Sequence, residues 1–203
     1  MAHKQFGKDL LSAVKQVLIR FILLILYPYK TMRSIAREQD DLQIGVIFFI
    51  IFIYYLFIPA LKPEITSPVI QLSLVLFNLV MTVIFVYFFG RMLNGETSIR
   101  PLLFLFSYSL LPTIIWFYTT SFLFYFLPPP RTLSILGKSF SIIFITFSMS
   151  ILAWKVILWY LAVRFGTRLK FFGIVFLTLL YLAAVVPYAF YLYQFGFFRI
   201  PFL

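Results

Sequence analysis

Apolar residues gather in five long runs, at 42–61, 68–89, 102–127, 140–163 and 171–195, and the charged residues lie between them instead of lacing helix faces. Crossing about 30 Å of hydrocarbon takes roughly 20 helical residues at about 1.5 Å each, which is the length of each run. Lipid offers a backbone amide no partner, so such a run must pair its own N–H and C=O groups as a helix. Phe, Ile, Leu and Tyr dominate the runs and would suit strands as well. Length decides, because the runs are far too long for strands and lack the period-2 alternation of a membrane barrel. The expected fold is all-α: a polytopic transmembrane helical bundle of five spans over 42–195, with a cytoplasmic N-terminal region at 1–41 and a short outer tail at 196–203.

The segment 10–27 has a different pattern. Lys8, Ser12, Lys15, Gln16 and Ile19 share one helical side, with Leu10, Leu11, Val14, Val17, Leu18 and Phe21 opposite. Residues 21–27 are wholly apolar, and no small-residue cleavage site follows, so the segment does not read as a signal peptide. As a sixth span it would carry Lys15 and Arg20 into lipid, whereas an amphipathic helix on the cytoplasmic leaflet keeps them wet. The interfacial placement is the expectation. Residues 31–39 read as a second short helix, with Met32, Ile35 and Ala36 facing the membrane or bundle and Arg33 and Arg37 one turn apart. Asp40 and Asp41 are placed to cap the first span.

Charge then sets the orientation. In a soluble domain a net charge of +11 would point to nucleic acid. In a chain that is 63% hydrophobic it reads instead as the positive-inside bias of cytoplasmic loops, and no nucleic-acid partner is expected. An inside N-terminus places 12 Lys and Arg inside and 4 outside, Lys155 set apart. A sixth span would turn that into 6 against 8. The expectation is a cytoplasmic (inner) membrane protein with its N-terminus inside and its C-terminus outside.

The inventory for chemistry is thin. There is no cysteine, His3 is the sole histidine, and all six acids lie at or beyond the membrane boundaries. Zinc ligation, proton-coupled carboxylates and glycine-rich phosphate loops are missing, so neither catalysis nor a cofactor is expected. Within the spans, Gln71 and Asn78 are seven apart with Thr82 a turn on, and Ser141, Ser148 and Lys155 repeat at seven. These positions read either as a polar path or solute cavity between spans two, three and four, or as side chains that pack helices closely and bond across them. Lys155 either snorkels toward the cytoplasmic surface, meets Gln71 or Asn78 in a polar contact, or serves transport. Pro112 and Pro187 fall inside spans and are expected to kink them.

The connection between spans two and three reads Arg91-Met92-Leu93-Asn94-Gly95-Glu96-Thr97-Ser98-Ile99-Arg100-Pro101-Leu102, followed by Tyr108-Ser109-Leu110-Leu111-Pro112. Gly95 is suited to a positive-φ turn, Thr97 or Ser98 to capping the next helix, and Pro101 to its first turn. Arg91 and Arg100, with Arg164, Arg168 and Lys170 of the last connection, would face anionic lipid headgroups or an acidic protein partner, although topology signalling alone explains the same charges. The stretch resembles the Yip family, the Ypt/Rab-interacting membrane proteins, and Pro28–Met32 is similar to its early amphipathic motif. Family members often carry paired glycines where this chain has Gly95-Glu96, and the Asp-Leu-Tyr-Gly-Pro motif of the GTPase-linked members is absent at Asp41-Leu42. Rab binding therefore does not carry over. The resemblance implies a five-span, non-catalytic membrane component with protein partners, acting in membrane organisation, trafficking or an export assembly.

Overall fold

A computed structural model describes residues 2–61, 67–126 and 135–195, with side chains except those of 2–6, 58–61, 124 and 135–136. The outer tail 196–203, the turn around Pro63 and the Pro128–Pro130 connection lie outside the described residues. Every element within them is a helix: α1 (Ala2–Leu26), α2 (Pro28–Ile35), α3 (Asp41–Leu61), α4 (Pro68–Met92), α5 (Ile99–Ser109), α6 (Leu111–Phe126), α7 (Ile135–Thr167) and α8 (Phe171–Gln194). Four stretches are long and apolar enough to cross a membrane: Pro68–Met92, Ile99–Leu123, Gly137–Thr167 and Phe171–Gln194. The part of α3 with described side chains, Asp41–Phe57, is apolar but shorter. These helices mark an integral membrane protein.

Burial separates a centre from a rim. In the apolar window of Ile99–Leu123 72% of the residues are buried, against 6% in that of Gly137–Thr167. The outer faces display Phe49, Ile142, Ile143, Val156, Leu179 and Phe190, all more than half exposed. That surface suits lipid and would be a liability in water. The last three turns of α7 depart from its exposed beginning, since Leu158, Leu161, Ala162 and Val163 are buried, and Gly166 sits against Leu102 of α5.

Prolines shape the elements. Pro28 and Pro68 open α2 and α4, where a missing N–H costs nothing. The third apolar run is two helices, broken at Leu110 just before Pro112. Pro112 cannot donate to the carbonyl four residues back. Around the break, the Leu110 N–H bonds Ser107 O at 3.3 Å and the Ser109 hydroxyl bonds Phe106 O at 2.7 Å, before Ile114 N–H returns to Leu110 O. Pro187, by contrast, lies within α8, which runs on to Gln194. α3 is tied to α6 by a Tyr54–Ser121 hydroxyl pair at 3.0 Å and by the Tyr118 hydroxyl donating to Ile50 O at 3.1 Å.

The first helix packs differently from its sequence pattern. α1 contacts α2 and α3, and it buries Ala13, Val17, Arg20 and Leu24, while Leu10, Leu11 and Leu18 stay exposed. The buried stripe is thus rotated from the apolar face read from the chain, keeping Val17 and leaving Leu10, Leu11 and Leu18 outside. A polar contact for Arg20, described next, outweighs the leucines. α2 buries Thr31, Met32 and Ile35 and packs on α5 and α7.

Candidate functional site

Three chain segments meet at one end of the bundle around a cavity of about 1060 Å³. The first is the turn after α4. Asn94 takes the left-handed conformation there (φ 61°), and Gly95 N–H bonds Gly90 O at 2.9 Å. Gly95 is therefore not the positive-φ residue. Its glycine is required by space, because a Cβ would lie 2.7 Å from Thr167 O and 2.8 Å from Gly90 O. Gly90 is similarly confined, with Thr97 Cγ2 at 2.8 Å from a built Cβ. The loop is pressed onto the end of α7 at Thr167, whose hydroxyl bonds Val163 O at 2.7 Å.

The second segment is the α7–α8 turn, where Arg168 has φ 54° and pairs with Glu96 of the first loop. The third is α2, held by Tyr29, whose ring meets Phe165 edge-on at 5.1 Å and lies under the Arg164 guanidinium at 5.7 Å. Arg33 of α2 and Arg37 in the turn just after it thereby join Arg91, Arg164, Arg168 and Lys170 around one space. Six cations face a single carboxylate, Glu96, which Arg168 already engages. Among the described residues Arg91 and Arg164 donate only to the neutral hydroxyls of Tyr87 (2.8 Å) and Tyr160 (3.2 Å). Among the described residues no acid pairs with Arg33, Arg37 or Lys170.

Two helix starts open on the same space. Ser98 and Lys170 are the N-cap residues of α5 and α8, and neither makes a side-chain cap bond. The expectation that Thr97 or Ser98 caps α5 is corrected, since the Thr97 hydroxyl reaches Tyr87 O at 3.5 Å instead. Of the basic patch read from the chain, Arg91, Gly95, Ser98, Arg164, Arg168 and Lys170 line the cavity, and Arg100 does not. Arg100 joins Asp41 at 3.1 Å, tying the start of α5 to the start of α3. Tyr29, Arg33 and Arg37 were not part of that patch. Their one-turn spacing is visible in the chain, but their approach to loops more than 50 residues away is not.

The polar positions within the spans divide between two contacts. On the α4 side, Asn78 Oδ1 accepts from the Tyr188 hydroxyl at 2.8 Å, and the Thr82 and Tyr181 hydroxyls pair at 2.9 Å. These residues line a mostly apolar cavity of about 280 Å³ against α8, and the buried Nδ2 of Asn78 has no partner. Gln71 is buried on the same helix. On the α7 side, Ser148 accepts from Trp116 Nε1 at 3.2 Å, and Lys155 Nζ donates to Thr113 Oγ1 at 2.9 Å, both toward α6. Ser141 bonds Gly137 O of its own helix. Lys155 therefore finds Thr113, not Gln71 or Asn78.

A third cluster holds α1 in place. Arg20, 7% exposed, donates to Glu38 Oε2 and to Gln43 Oε1, both at 2.6 Å, and its guanidinium lies 5.9 Å from the Tyr108 ring centre. The Tyr108 hydroxyl also donates to Gln43 Oε1 at 2.6 Å, and Gln43 Nε2 donates to Gln16 at 2.6 Å. The clamp spans α1, the α2–α3 turn, α3 and α5. In the sequence Arg20 counts among the N-terminal cations and stands against a sixth span, and neither role foretells this clamp.

Among the described residues no three His, Asp or Glu side chains converge on a metal position. Compared with protein-family models, curated proteins and solved structures, the chain matches none.

Proposed function

We propose that this chain is a non-catalytic membrane protein of Yip type, an interaction or assembly component of the cytoplasmic membrane that docks its partner at the basic cavity. In this reading α3 is the first of five spans, α1 and α2 lie on the cytoplasmic side, and the C-terminus is outside. The single observation that carries it is the cavity itself, an excess of cation brought together from α2 and two distant connections. The ends of α4 and α7 and the starts of α5 and α8 share that side, as alternating spans require. Positive charge concentrated there fits the cytoplasmic face. Native mass spectrometry after mild detergent extraction from the source membrane tests the reading. A stoichiometric partner chain that is lost in Arg33→Glu/Arg37→Glu supports it, and repeated recovery of the protein without any partner chain sinks it.

One observation favours a second reading, a small permease or lipid-handling protein. Asn78 beside an apolar cavity keeps a buried Nδ2 with no partner among the described residues, and Lys155 holds Thr113 inside the bundle. Flux of solute or lipid in reconstituted vesicles that disappears in Lys155→Leu supports it. Unchanged flux in that variant removes Lys155 from the mechanism.

A further inference from the structure

The cavity has a chemistry more specific than positive charge. Six cationic groups against one carboxylate leave a formal excess of five positive charges. One carboxylate ligand would neutralise little of that. Guanidinium forks match the oxygens of phosphate in pairs, and among the described residues no acid pairs with Arg33, Arg37, Arg91 or Arg164. The starts of α5 and α8 add backbone N–H groups that no side chain caps, and the helix dipole favours a compact anion at such ends. At about 1060 Å³ the space is at the upper end of small-molecule sites and holds a headgroup with its water.

The rim says where the ligand comes from. Tyr29, Tyr160 and Phe171 border the cavity, and Phe172 beside them is 83% exposed. Aromatic side chains in that position belong at the headgroup level of a bilayer. The cavity therefore opens where lipid phosphates lie.

We propose that this cavity binds a multiply charged phosphate group, offered by the phosphomonoester headgroup of an anionic lipid or by a soluble polyphosphate. The inference rests on the reading of this end as cytoplasmic and gives the docking site a ligand. Four arginines and two helix starts grip the phosphate oxygens, while Arg168 stays with Glu96 and braces the two loops.

The test uses the full chain in phosphatidylcholine nanodiscs with three probes: phosphatidic acid, phosphatidylglycerol and inorganic pyrophosphate. Phosphatidic acid is retained in native mass spectra in preference to phosphatidylglycerol, whose phosphodiester carries a single charge, and pyrophosphate displaces it. Arg33→Gln/Arg37→Gln weakens retention about tenfold, the loss of one charge-assisted bond or more. Lys8→Gln/Lys15→Gln, at exposed positions of α1, leaves retention unchanged. Melting curves keep folding apart from binding, and Arg91→Gln/Arg164→Gln serves as the second cavity variant should the first melt early. Pyrophosphate binding without phosphatidic acid preference assigns the site to a soluble phosphate. Equal retention of both lipids together with no pyrophosphate binding overturns the proposal, as does equal loss in the α1 variant, or displacement by a glutamate-rich peptide where pyrophosphate fails. Because the isolated chain is used, failure here leaves the recovery of a protein partner untouched, and the reverse holds too.

Discussion

Arg20 of α1 sits 7% exposed against α3 with its guanidinium bonded to Glu38 and Gln43, whereas Arg33 of α2 and Arg37 just beyond its end line a cavity and pair with no acid among the described residues. A charge taken out of water must be matched by hydrogen bonds, and Arg20 has gathered a ring, an amide and a carboxylate from three other segments. The cavity arginines keep their water and their mutual repulsion, which only an anion relieves. One group of arginines closes a structure and the other leaves a site open. The side chain alone does not distinguish them, and the neighbours do.

The comparison breaks most sharply at Arg20. Arg20→Met removes the bonds that the guanidinium donates to Glu38 and Gln43 and is expected to cost roughly 2–4 kcal/mol in denaturation followed in micelles, with α1 becoming open to protease. A loss within about 0.5 kcal/mol would place Arg20 with ordinary surface charges. Gly95→Ala comes next, at about 1–3 kcal/mol, because the new methyl meets two backbone carbonyls that cannot rotate aside. Its phosphate binding should fall as well, since the same loop walls the cavity. Asn94→Ala should lower stability by about 1 kcal/mol while Asn94→Gly is close to neutral, as expected for a residue at φ 61°. The reverse ranking would return the left-handed position to Gly95. Glu38→Gln tests which part of the clamp matters. Its carboxylate side is 69% exposed, so the change should cost no more than about 1 kcal/mol, leaving Gln43 and Tyr108 as the stronger partners. Smallest of all, Arg33→Gln/Arg37→Gln should leave the melting transition within about 0.5 kcal/mol of the parent while anion binding drops.

Much of the fold was legible in the residues. Runs of apolar side chains announced the long helices, Pro68 marked the start of α4, and Pro112 lay beside the break between α5 and α6. The helix α7 proved longer than the run 140–163, from Ile135 to Thr167, since Gly166 and Thr167 pack against α5 and the α4–α5 loop in place of ending at the membrane boundary. The face of α1 was not legible. Its leucines outnumber Arg20, and no single-segment pattern records that Gln43 and Tyr108 wait for a guanidinium. At the cavity, Arg91, Arg164, Arg168 and Lys170 stood out in the chain, because cations between apolar runs are conspicuous. Arg100 was indistinguishable from them until Asp41 was found beside it.

Segment length against a bilayer, and the placement of charge between segments, belong to each stretch of chain and its solvent. The sequence by itself therefore determined an all-helical membrane protein with its cations concentrated in particular connections. Whether a given cation is buried, paired or left open depends on which distant segments reach it. Tertiary packing alone decided that Arg20 would lock α1 down, that Lys155 would meet Thr113, and that α2 would close a basic cavity over two loops.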